Sequence, residues 1–171
     1  MPNKTVFLIG MPGSGKSTLG KKFSEQFQWD FYDLDAVIVE KNGLSIPEIF
    51  QQHGETFFRA EETAVLKDML NFEAPSIVAT GGGAPCFNNN MGLINKSGTS
   101  IYLNVPLDEL AKRIEAEGRE KRPLFSQMPF SDFFIQLQKQ WQFRKQFYEK
   151  AHFTLEGGAK DPLDIAGILK A

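Results

Sequence analysis

A single cysteine, Cys86, occurs among 171 residues, which excludes an intramolecular disulfide and every cysteine-based zinc cluster. Its expected role is that of a small buried apolar side chain. The two histidines, His53 and His152, stand apart from each other and from every motif described below, so neither is assigned catalytic work. No charge of one sign dominates. Nineteen Lys and Arg face 21 Asp and Glu for a net charge of -2, so no broad field draws the chain to nucleic acid or anionic lipid, and neither partner is expected. Long apolar runs are missing too. The short run "TVFLIG" after Lys4 is too brief for a secretory core and far too brief to span a bilayer. With no targeting segment and one cysteine, a cytoplasmic location is expected. No internal repeat, low-complexity tract or Pro/Gly/Ser linker divides the sequence, and one domain over residues 1–171 is expected.

What is present reads as alternating strands and helices. Apolar residues make up 42% of the chain and charged residues 23%, enough to bury a core and argue against disorder. "TVFLIG" reads as a buried strand, followed by a helix that starts in a glycine loop and runs to about Phe27. "FYD" is a short second strand. In "SIPEIFQQHG" Ser45 is an N-cap with Glu48 in capping-box position and Gly54 as the stop, and a longer helix follows from Glu55 to about Asn71. "SIVAT" and "SIYLNV" read as central strands on either side of "GGGAP" and the polar segment "FNNNMGLINKSG". "PLDELAKRIEAEG" is helical, "REKRPLFSQMPFS" is not, and "DFFIQLQKQWQFRKQFYEKA" returns to helical spacing. "HFTLE" is a last strand, and Asp161 with Pro162 opens a closing helix. Five strands separated by helices imply an α/β fold: an open, mostly parallel sheet covered on both faces, giving three α/β/α layers. Trp29, Trp141 and most of the 16 phenylalanines are expected in core or helix packing.

The stretch "GMPGSGKST" carries the first chemistry. Gly10, Gly15, Lys16 and Ser17 fit G-x-x-x-x-G-K-[ST], where a strand turns into a helix. By glycine usage alone the four positions co-occur in such a chain less than roughly one time in a hundred, so nucleotide binding is the reading. Backbone amides of Gly13, Ser14, Gly15 and the residues through Thr18 converge on phosphate oxygens, helped by the helix N-terminus. Lys16 reaches the outer phosphates and the Ser17 hydroxyl holds Mg²⁺.

The acceptor needs other residues. Asp33 and Asp35 in "FYDLDAV" end the second strand, and alternate strand positions would turn both carboxylates to the cleft. One can hold the water shell of Mg²⁺ and the other can orient or deprotonate an attacking hydroxyl. Arg59 and Arg144 each supply a planar fork for a carboxylate. Gly81 to Gly83 let backbone approach a ligand closely. Phe58 adjoins Arg59 at the acceptor side.

Taken together, "GMPGSGKST", "FYDLDAVI", "FRAEE", "GGGA", "RPLF" and "RKQFYEKA" closely resemble the shikimate kinases, in the family's order and over nearly the whole chain. The resemblance implies a P-loop NTPase fold with strand order 2-3-1-4-5. It also implies transfer of the ATP γ-phosphate to the 3-hydroxyl of shikimate, a step of aromatic amino-acid (chorismate) biosynthesis, by a monomer with Mg²⁺. It makes Asp35 the partner of the ring hydroxyls, Arg59 and Arg144 the carboxylate grip, Glu62 the support of Arg59, and Gly81, Gly82 and Gly83 a cover for the ring. Asp33 assists Ser17 with Mg²⁺. Arg122 resembles the lid arginine and Arg113 the adenine-side arginine, with an acceptor-binding segment at about 34–62 and a lid at about 117–130. "LEGGAKD" lacks the arginine that some members place near adenine, so backbone is expected to contact the base there. Two rivals stay open: a gluconate or nucleoside monophosphate kinase of the same group, and a regulatory nucleotide switch. Against the switch, "NVPLD" has no lysine where an N-K-x-D guanine motif needs one.

Overall fold

The computed structural model describes residues 5–118, 128–157 and 160–170. Its centre is strand β1 (Thr5–Ile9), every residue of which is buried. The other strands are β2 (Asp30–Asp33), β3 (Ser76–Ala79), β4 (Thr99–Asn104) and β5 (Phe153–Glu156). All four pairings are parallel and the order is β2-β3-β1-β4-β5. The expected fold and order are both borne out. Side chains alternate across β1, so that Val6 and Leu8 face one helical layer and Phe7 and Ile9 the other. On the first face lie α1 (Lys16–Phe27), through Leu19 and Phe23, and α7 (Pro162–Lys170), through Ile165. The opposite face is covered by α3 (Ile46–Met69), α4 (Asn90–Ser97), α5 (Leu107–Glu117) and α6 (Phe130–Tyr148). A continuous apolar run with no polar face is what a strand covered on both sides needs.

Two helices depart from the sequence expectation. Helix α2 (Leu34–Asn42) begins directly after β2 with no Gly or Pro between them, because Asp33 ends the strand and caps the helix, its Oδ1 accepting from Ala36 N at 3.2 Å. Its anchors, Leu34 and Ile38, are fully buried one turn apart. Helix α4 lies inside the segment read as polar. Only Met91 and Ile94 among its apolar residues are buried, a pattern too brief to show as periodicity.

The expected capping box at the start of α3 is complete. Ser45 Oγ accepts from Glu48 N, and Ser45 N donates to Glu48 Oε2 at 2.7 Å. The expected stop at Gly54 is a kink at φ 81, ψ 174 between two helical segments. Asp161 caps α7, its Oδ1 accepting from Leu163 N at 2.8 Å. Most described phenylalanines sit in the core or against it, while Phe130, Phe143 and Phe153 are exposed. His152 is structural: its Nδ1 accepts from Ser100 N at 3.2 Å, joining α4, β4 and β5 through Asn95. Among the described residues no helix is long and apolar enough to cross a membrane.

The kink gives a direct test of backbone strain. A Cβ at Gly54 meets nothing within 4 Å, so Gly54→Ala suffers only from φ/ψ values that are nearly restricted to glycine, about 1–3 kcal/mol. The urea midpoint is expected to fall accordingly with its slope unchanged. A midpoint equal to wild type would show that the kink relaxes freely.

Candidate active site

The carboxyl ends of β1, β2 and β3 meet at one pocket of about 350 Å³, the side of a parallel sheet where ligands bind. Its donor half is the loop between β1 and α1. Helix α1 has no side chain capping its amides and no acidic residue in its first turn; Gly15 precedes it at φ 90. A helix start left uncapped and free of negative charge suits an anion. Lys16 is buried, its Nζ donating at 2.9 Å to the carbonyls of both Gly10 and Met11. The ammonium is therefore pre-placed inside the loop, with carbonyl bonds to exchange for phosphate oxygens. Gly13, Gly15, Ser17 and Thr18 line the pocket with it. Ser14 does not. Its side chain is buried beneath the loop, and its backbone N–H donates to Met11 O at 3.2 Å. Arg113, from α5, donates to Gly13 O at 3.3 Å and is steadied by Glu109 one turn earlier at 3.0 Å. It reaches the outer side of the loop rather than the pocket wall.

Ser17 Oγ donates to Asp33 Oδ2 at 2.5 Å. These are hard oxygen donors beside the phosphate cradle, and the pair fits Mg²⁺, which binds through one or two protein oxygens with phosphates and water completing its shell. Among the described residues no group of three or more His, Cys, Asp or Glu forms a cage of its own. The cradle also fits a nucleotide polyphosphate, since it offers amides, one cation and no competing carboxylate in the first turn.

The acceptor half is built differently from the sequence argument. Asp35 lies in the first turn of α2, not on β2, which ends at Asp33. Strand alternation therefore does not bring the two carboxylates together; the immediate strand-to-helix turn does. Arg59 and Glu62 come from α3 and Arg144 from α6, and all line the pocket with Asp35. Glu62 is 1% exposed and accepts from Arg59 Nη1 at 2.6 Å. The Arg59 guanidinium also lies 4.2 Å from the Phe87 ring centroid and 5.3 Å from that of Phe58. An exposed pair such as Lys145–Glu149, 3.4 Å apart, is worth about 0–1 kcal/mol. Breaking a buried pair by removing one partner costs about 3–5 kcal/mol, so Arg59–Glu62 shapes the site and Lys145–Glu149 does not.

The triple glycine is a platform for these charges. A Cβ at Gly81 would lie 2.8 Å from Asp35 Oδ1 and 3.0 Å from Glu62 Oε1; at Gly82, 3.0 Å from Arg144 Nη1; at Gly83, 2.5 Å from Arg59 Nη1. A Cβ at any of the three would thus press on a charged head and move it from its present place. Ile46, Phe50 and Phe58 add an apolar wall. Cys86 follows the platform and is buried, its thiol pushed up to about 11 by burial and so held as an unreactive small side chain.

The shikimate kinase family model matches residues 12–169. The chain belongs to the shikimate kinase family. It is 40% identical over 149 residues to a shikimate kinase of Clostridium botulinum (strain 657), covering 87% of this chain and 85% of that protein. A crystal structure of shikimate kinase from Bacteroides thetaiotaomicron superposes with a TM-score of 0.91 at 30% identity, covering 98% of both chains. Shikimate kinase from Acinetobacter baumannii in complex with shikimate superposes at 0.86 and 30% identity over 99% of this chain and 92% of that one. Membership makes the chain a phosphotransferase with ATP as co-substrate.

Within this shikimate kinase framework, Arg122 and most of the lid expected at about 117–130 lie outside the described residues, as does part of "LEGGAKD". The residues that sequence reasoning passed over are Tyr148, Phe87 and the wall of Ile46 and Phe50. Tyr148 is one helical turn after Arg144, and that spacing was the available signal.

Glu62 yields a prediction. Burial first, and proximity to Asp35 second, raise its carboxyl to about 7, against the lowering effect of Arg59 and Arg144. A raised carboxyl contributes stability that is fully present below the unfolded value near 4.5 and is lost as pH rises through about 7. Glu62→Gln has no such dependence. Its stability relative to wild type is expected to improve from pH 5 to pH 8 in paired urea titrations, and a constant difference would exclude the raised value.

Proposed function

We propose that this chain transfers the γ-phosphate of ATP to the 3-hydroxyl of shikimate, as a cytoplasmic monomer made of one domain with an acceptor segment at about 34–62 and a lid at about 117–130. The carrying observation is that one pocket joins the phosphate loop to Asp35, Arg59 and Arg144. The shikimate held by the Acinetobacter baumannii relative supports the choice of acceptor.

In this reading the two guanidinium groups take the acceptor carboxylate through paired hydrogen bonds. Asp35 orients the ring hydroxyls and accepts the proton of the attacking one. The apolar wall of Ile46, Phe50 and Phe58 excludes water, which would otherwise compete as acceptor. Lys16 exchanges its carbonyl partners for phosphate oxygens, so its charge stands where negative charge develops. Ser17 and Asp33 would hold Mg²⁺, which neutralises phosphate charge when bound. Gly13, Gly15, Lys16, Ser17 and Thr18 hold the phosphates, and Arg113, the adenine-side arginine by family resemblance, steadies that loop through Gly13 O. Arg122 joins in sharing the phosphate charge on the strength of the family resemblance alone.

ADP release measured in parallel with shikimate, gluconate and AMP tests the reading, and a preference for either of the latter two would replace the acceptor. Negligible turnover with all three and tight nucleotide binding would favour a switch. Asp35→Asn is expected to lower turnover with shikimate about 10²- to 10⁴-fold, while ADP affinity by calorimetry stays at the wild-type value. Near-normal turnover would remove Asp35 from proton transfer.

A further inference from the structure

Tyr148 closes α6 and is fully buried. Its hydroxyl donates to the Gly82 carbonyl at 2.5 Å, and Arg144 lies one turn earlier on the same helix. It also lies 3.8 Å from Met11 Sδ in the phosphate loop. One oxygen thus ties the glycine platform and the loop expected to hold the donor to the helix that carries Arg144.

Gly82 shows why that contact matters. A Cβ there would lie 2.9 Å from Pro12 Cδ and 3.0 Å from Arg144 Nη1. Gly82 therefore packs against both the phosphate loop and the guanidinium. Gly82 is half-buried and lines the pocket, and the fully buried phenol is the protein partner that sets the direction of its carbonyl. Burial also drives the phenol far above its ordinary range, so it remains a protonated donor throughout the working pH range. The ring has a separate task, packing against Tyr102 with centroids 5.2 Å apart.

We propose that Tyr148 is a positioning residue for the acceptor: its hydroxyl fixes the Gly82 carbonyl and Arg144 in one register, setting the spacing between the carboxylate grip and the phosphate loop. The inference rests on the reading of this pocket as the acceptor site. Without the hydroxyl, the platform loses its anchor to the helix that carries Arg144, while the amides of the phosphate loop keep theirs.

Tyr148→Phe retains the ring and removes only the oxygen. KM for shikimate is expected to rise about tenfold, as for loss of one buried hydrogen bond, with KM for ATP within about twofold of wild type. Tyr102→Phe serves as the packing control, since that hydroxyl donates to Asn104 Oδ1 at 2.9 Å, away from the platform; both of its KM values are expected to match wild type. Melting temperatures are measured alongside. An unchanged KM for shikimate in Tyr148→Phe overturns the proposal. So does a parallel change in both KM values that follows the loss of melting temperature, because that is general loosening. If wild type prefers another acceptor, the functional reading falls, and the same split is read with that acceptor against ATP.

Discussion

The site depends on one buried carboxylate. Glu62 lies on α3 with almost no solvent contact, bonded to Arg59 and so near Gly81 that a Cβ there would stand 3.0 Å from its Oε1. Removing an ion from water costs several kcal/mol, and only close opposite charge with good hydrogen bonding offsets it. Here Arg59 at 2.6 Å offsets part of the cost and the field of Arg144 a little more, while burial still leaves the carboxyl raised to about 7. Arg59 and Glu62 share α3, and Arg144 brings α6 to the same pocket.

Topology explains why that contact sits beside the phosphate loop. In the order β2-β3-β1-β4-β5, β1 and β3 are neighbours although far apart in sequence. Parallel pairing in register, Leu8 against Ala79, ends both strands at the same edge. The loop after β1 and the platform after β3 must then emerge side by side, and Thr80 Oγ1 ties them by donating to Leu8 O at 3.0 Å. Strand β2, paired to β3 with Asp33 opposite Ala79, delivers the strand-to-helix turn of Asp33 and Asp35 to the same edge. Ligand sites gather at such edges because the strands are rigid and the loops beyond them carry the chemistry.

Most of this was legible in the sequence because its signals are local. The phosphate loop is contiguous, Ser45 with Glu48 is a three-residue signature, and Gly54 marks a break that no other residue tolerates well. The errors came where one residue serves two elements. Asp33 is both the last residue of β2 and the cap of α2, so the helix start was hidden and Asp35 was placed on a strand. Helix α4 was hidden for another reason: asparagines at its start and only two buried apolar anchors left no period to read. The bond from Tyr148 to Gly82 spans 66 residues, and nothing local in either segment announces a partner at that distance.

Charge balance links these features to anion recognition. Arg59 and Arg144 stand against Asp35 and Glu62, two positive charges and two negative when all are ionised. With the Glu62 carboxyl raised to about 7, that balance is not fixed near neutrality. A proton on Glu62 leaves one positive charge in surplus beside Gly82 and Gly83, where both guanidinium groups converge on the platform. An acceptor carboxylate would restore neutrality inside a partly desolvated pocket, where uncompensated charge is most costly. The burial that makes Glu62 expensive to ionise thus also keeps the grip receptive to an anion, and a more exposed carboxylate in its place would neutralise the arginines permanently.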